Sequence, residues 1–120
     1  MNLDDLSMEA HRNASEKGFW KLEDSILAKM ANPKLQLEFT QEEIKAVVNA
    51  FKTSKIALIM CEGAEAIEAL RKGENESEEM ADIVIRTGDY CGGYNVDLEG
   101  HAAVKMEKNK LRPVKHGKAF

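Results

Sequence analysis

Between Thr40 and Lys72, apolar residues recur at the spacing that lays one stripe along an α-helix. Counted at about 100° per residue from Ile44, the residues Val47, Val48, Phe51, Leu58, Ile59, Ala66 and Ala69 all fall within about 60° of zero. Thr40-Gln-Glu-Glu43 opens this segment as a capping box, in which the threonine oxygen accepts the Glu43 backbone N–H and the glutamate reaches back. Gly73 stops it. The same reasoning predicts a helix over about Leu6–Lys17, ended by Gly18, and a second over about Phe19–Ala31, stopped by Asn32-Pro33. Pro33–Phe39 reads as a connector. Ser77 opens another capped helix that runs to about Cys91 and ends at Gly92-Gly93, and Asp97 caps a last helix that runs to about Lys110, before Arg112-Pro113. Short loops at Gly73–Glu76 and Gly92–Val96 complete an expected all-α fold: one domain over residues 1–120, built as an antiparallel helical bundle.

Two residues break the pattern of the long helix. Glu62 falls at about 0° and Glu65 at about 300°, inside the apolar stripe, whereas Glu68 at about 240° lies off it. Solubility does not explain a carboxylate on an apolar face, because a buried charge needs a partner or neutralises. The next helix repeats the device: Glu79 and Asp82 are three positions apart and share a face with Ile83. A turn near Gly73–Glu76 brings the two faces together. Four converging carboxylates repel one another unless a cation intervenes, and oxygen donors without histidine or cysteine select Mg²⁺, or Mn²⁺, over zinc. A plainer reading stands beside this one. An E-x-x-E pair is common on solvated helices, and Asp82 and Arg86 have the spacing of an ordinary i,i+4 ion pair.

A second apolar stripe on the same helix, formed by Ile56, Met60, Ala64 and Ile67, falls at about 120–200°. A helix apolar on both sides is buried on both sides, which a lone bundle of 120 residues hardly manages. A homodimer or homotetramer is therefore expected.

Composition and charge sharpen the picture. Few prolines and an abundance of alanine, glutamate, lysine and methionine favour helix. The net charge of −4 conceals an asymmetry: six cations face one anion, Glu107, between Lys105 and Lys118, so an acidic body ends in a basic tail. The body suits a divalent cation, and the tail suits phosphate. Cys61 and Cys91 are too few for a disulfide framework and read as reduced, buried thiols of a cytoplasmic protein. No signal peptide and no membrane-spanning run is apparent, and neither a membrane nor a nucleic-acid polymer is an expected partner. Among lesser candidates, Trp20 reads as core rather than as a base-stacking platform, and His11 as structural. His116 lies near the tail's cations, and the spacing of Asp89 fits a supporting ligand or a pair for Arg86. Gly92-Gly93 lacks the surroundings of a phosphate loop.

Glu62-Gly-Ala-Glu65 followed by Glu79-Met-Ala-Asp82 resembles the E-x-x-E…E-x-x-D signature of the MazG-like, all-alpha nucleoside triphosphate pyrophosphohydrolases. Lys55-Ile-Ala-Leu-Ile-Met-Cys-Glu62 and Ile83-Val-Ile-Arg-Thr-Gly-Asp89 are similar to the flanks of that signature. The run Lys105-x-x-x-Asn109-x-x-Arg112-Pro-x-x-His116-Gly-Lys118 looks like the C-terminal segment of small members, and His11-Arg-Asn-Ala…Lys17-Gly-Phe-Trp20 like the N-terminal segment of one branch. The resemblance covers about Met8 to Phe120 and is weakest over Leu22–Phe39. Cys61 departs from it, since many relatives carry a further glutamate there. The resemblance implies Mg²⁺-dependent hydrolysis of an NTP or dNTP to the monophosphate and pyrophosphate. Glu62, Glu65, Glu79 and Asp82 would then be the metal and catalytic residues, and Lys105, Asn109 and Arg112 the substrate ligands. Two alternatives remain: the related phosphoribosyl-ATP pyrophosphatase, against which the N-terminal segment argues, and a non-catalytic, metal-stabilised helical oligomer.

Overall fold

The computed structural model describes residues 1–120 and is all-helical, with five α-helices and no strand. The helices are α1 (Leu3–Glu16), α2 (Lys21–Ala31), α3 (Gln41–Arg71), α4 (Ser77–Gly93) and α5 (Leu98–Lys110), with short 3-10 turns at Pro33–Leu35 and Val114–Gly117. The capping box at Thr40 forms as expected, Thr40 Oγ1 accepting the Glu43 N–H at 3.0 Å and Glu43 Oε1 accepting the Thr40 N–H at 2.9 Å. Gly18 and Gly73 both take the left-handed conformation that terminates the helices before them.

Several boundaries differ from the expectation, each for a local reason. α1 begins three residues earlier than Leu6, because Asn2 and Asp5 make a reciprocal capping box and Asp4 and Asp5 complement the positive helix end. Ser77 is not the cap of α4. It is the first helical residue, and its N–H is satisfied by Asn75 Oδ1 at 2.9 Å, an Asx turn two residues upstream. α2 starts at Lys21, after a turn at Gly18–Trp20, and α4 continues through Gly92 and Gly93. Asp97 does cap α5, its Oδ1 accepting the Gly100 N–H at 3.0 Å.

Helix α4 is the centre of the packing. It contacts α1 on one side and α3 on the other, while α5 lies against α1. The α1–α4 contact is close because α4 presents glycines there. A Cβ on Gly92 would stand 2.5 Å from the Ser7 carbonyl oxygen and 2.8 Å from His11 Cβ, and one on Gly88 would collide with Leu6. Burial is sparse. Only 8 of the 120 residues are buried, among them Trp20, Ala66, Ala69 and Cys91, and no large side chain is fully enclosed. The radius of gyration is 18.1 Å, against ~13.6 Å for a compact domain of this length. The second stripe of α3 faces outward, with Ile56, Met60 and Ile67 all exposed. The two cysteines part company: Cys91 is buried as expected, but Cys61 is exposed, because its position on α3 lies off both apolar stripes.

Candidate metal and nucleotide site

The residues of the two acidic motifs sit on α3 and α4, which pack together. Glu62 is buried, its side chain 8% exposed, and Asp82 and Glu79 are half-buried; Glu65 is exposed. Glu62 Oε1 accepts from Arg86 Nε at 2.5 Å, a charge-assisted bond across the two helices. Glu62 Oε2 is buried with no donor. Arg86 therefore pairs with Glu62 rather than with Asp82 or Asp89.

The proximity of the four acids registers on Glu65, whose carboxyl is held above the usual carboxylate range. The largest cause is a hydrogen bond with Glu62, followed by the charge of Glu62, desolvation, and the charges of Glu79 and Asp82. Such a bond exists only when one of the two acids is protonated. As carboxylates they are two acceptors, which agrees with an Oε2 that has no donor. The motif residues thus share one neighbourhood. In the arrangement described, no three His, Cys, Asp or Glu side chains stand at metal-ligating spacing. What points to a cation is one atom, Glu62 Oε2, buried without a donor in a set whose candidate ligands are all carboxylates.

A cleft of about 430 Å³ opens beside this cluster, between residues of α1, α2, α3 and α4. Glu62, Asp82 and Arg86 line one part of it, and Phe19, Leu22, Phe51 and Leu58 supply apolar surface. Glu65 and Glu79 do not line it. Neither does any residue of α5, so Lys105, Asn109 and Arg112 stand apart from it. Lys105 and Arg112 are exposed, Arg112 donating from Nη1 to His116 Nδ1 at 2.9 Å. Asn109 is half-buried, and its Oδ1 has no donor.

Glu23, Lys55 and Asp89 line the same cleft and belong to a polar network that no sequence motif marks. Glu23, 4% exposed, accepts from Lys55 Nζ at 3.1 Å and from the Tyr94 hydroxyl at 2.6 Å, both on Oε1. Burial, and then this bond to Glu23, push the Tyr94 hydroxyl far above the usual tyrosine range. Lys55 Nζ also lies 4.1 Å from the centre of the Trp20 ring, a cation–π contact. Trp20 is core, as expected, but its indole N–H donates to Asp89 Oδ1 at 2.7 Å, and the same oxygen lies 3.0 Å from His11 Nδ1. Asp89 therefore belongs to this network, as partner of Trp20 and His11. Glu23 shares a helical face with Trp20 and Leu27, the same signal of an acid on an apolar face that marks Glu62.

Compared with family models, with curated proteins and with solved structures, the chain finds no match in any of the three.

Proposed function

We propose that the chain is a Mg²⁺-dependent nucleotide pyrophosphohydrolase of the MazG-like kind, cleaving an NTP or dNTP between the α and β phosphates. The observation that carries this reading is the buried Glu62, on a helix face shared with Glu65 and packed against the helix of Glu79 and Asp82. Glu62, Glu65, Glu79 and Asp82 would hold the ion, Mn²⁺ serving in place of Mg²⁺. Bound there, it would neutralise charge on the substrate's phosphates. One of the carboxylates would orient the attacking water and take its proton. The apolar wall of Phe19, Leu22, Phe51 and Leu58 is suited to the nucleoside, and its volume is within the range of small-molecule sites. Lys105, Asn109 and Arg112 are assigned to the phosphates through the resemblance of the C-terminal segment; their distance from the cleft makes closure of that segment part of the reading.

The working form would be an antiparallel bundle assembled as a homodimer or homotetramer. The sparse core and the exposed Ile56, Met60 and Ile67 support assembly through the outer face of α3. No helix is long and apolar enough to cross a membrane, and both thiols are free, in keeping with a cytoplasmic setting. A second reading, a non-catalytic helical oligomer, draws on the Glu62–Arg86 pair, which already supplies a counter-charge. Product analysis separates the two. Incubation with a panel of NTPs and dNTPs should yield monophosphate and pyrophosphate; orthophosphate would exclude α–β cleavage, and no product would favour the second reading.

A further inference from the structure

Helix α4 delivers one cation into the acidic neighbourhood, and it does so at the most buried acid. Arg86 lies one helical turn beyond Asp82, lines the same cleft and bonds Glu62 through Nε. Its own side chain is 40% exposed, against 8% for Glu62. The pair is therefore lopsided: the carboxylate is fixed and desolvated, while the guanidinium keeps a route to solvent. Glu62 still has an oxygen without a donor, so one cation does not satisfy the site. Breaking a buried pair by removing one partner is costly because it leaves an uncompensated charge, a cost that a second cation taking the same place offsets.

We infer that Arg86 is an exchangeable counter-cation, holding Glu62 in the metal-free chain and leaving it when a divalent ion enters. This rests on the carboxylate site proposed above and adds a positioning residue to it. Arg86 holds Glu62 in place and supplies its counter-charge in the metal-free chain, and displacing it subtracts from the free energy of metal binding. Arg86 thereby sets the metal concentration at which the site fills. An arginine bound to Glu62 and a metal bound to Glu62 compete for the same charge, so their coupling is negative.

The test needs no substrate. Mn²⁺ and Mg²⁺ binding is measured by calorimetry at pH 8 for the wild type, Arg86→Met and Arg86→Lys, with the Arg86 Nε–H resonance of the wild type followed by NMR during the titration. The expected result is metal binding roughly fivefold or more tighter in Arg86→Met. Arg86→Lys should fall between, and the Nε–H signal should move toward that of a solvated arginine as metal is added. In a Glu62→Gln background, Arg86→Met should leave metal affinity unchanged. Weaker or unchanged binding in Arg86→Met, or an Nε–H signal indifferent to bound metal, overturns the exchange while leaving the metal site standing. Absence of metal binding in the wild type overturns both. The NMR titration decides the matter if Arg86→Met fails to fold.

Discussion

Lys55 on α3 and Glu23 on α2 form an ion pair of 3.1 Å in which neither partner is well solvated, the side chains being 16% and 4% exposed. Glu23 also accepts the Tyr94 hydroxyl, so this one carboxylate ties α2 to α3 and to the end of α4. Removing it strands a lysine between aromatic rings. Glu23→Met or Lys55→Met alone should destabilise the chain by about 3–5 kcal/mol, whereas the double change Glu23→Met, Lys55→Met should cost much less. Urea denaturation of the four forms in the cycle measures this. Equal losses in the single and double variants would mean that the pair is incidental.

Glu65 makes stability depend on pH in a particular direction. Its carboxyl is raised in the folded chain by Glu62, and then by Glu79 and Asp82, so the native state holds a proton more tightly than the unfolded one. That contribution is complete below the ordinary carboxylate range and is lost as pH rises through the folded value. Relative to Glu65→Gln, the wild type without metal should therefore lose melting temperature as pH rises above the ordinary carboxylate range. Mg²⁺ should restore stability at the higher pH. Melting curves from pH 4 to 8, with and without Mg²⁺, show the sign directly.

Two helical glycines should respond oppositely to alanine. Gly92 faces the Ser7 carbonyl and His11, and a Cβ would force α1 away from α4, at a cost of about 1–3 kcal/mol. Gly63 has open space around it in the interior of α3, so Gly63→Ala should gain up to about 1 kcal/mol from helix propensity. Thermal denaturation of both variants checks the pair, and a loss at Gly63 would point to a contact made by another copy of the chain.

The cysteines offer a simple probe of the fold. Cys61 is exposed, while Cys91 is buried and its thiol pushed up by that burial. A thiol reagent near neutral pH should label Cys61 in the folded chain and reach Cys91 only on unfolding. Protection of Cys61 would show that assembly covers this part of α3.

Much of the architecture was legible because it is written in local patterns. The Thr40 box, the stops at Gly18 and Gly73 and the Asp97 cap act over three or four residues and formed where expected, whereas α4 ran on through the expected stop at Gly92-Gly93. The start of α1 was missed because Asn2-x-x-Asp5 uses aspartate where glutamate is the usual signal. Ser77 opens its helix as expected, but the cap comes from Asn75, two residues earlier, which satisfies its N–H. Cys61 was taken for buried from its apolar neighbours in sequence, although its phase of about 260° on α3 lies off both stripes. The phasing that put Glu62 on the apolar face was right, and Glu65, at the stripe's edge, emerged exposed. Pairings across helices were beyond such reasoning. Arg86 reaches Glu62, and Trp20 reaches Asp89, only through the relative rotation of packed helices, which periodicity within one helix does not define.

The central claim is that the Glu62–Asp82 neighbourhood binds a divalent ion in order to cleave a nucleotide. Pyrophosphate release with Mg²⁺ from the best substrate of an NTP and dNTP panel, compared among the wild type, Glu62→Gln and Asp82→Asn, tests it most directly. Both substitutions should lower kcat by roughly two orders of magnitude or more while the chain stays folded. Wild-type rates in both variants would contradict the account.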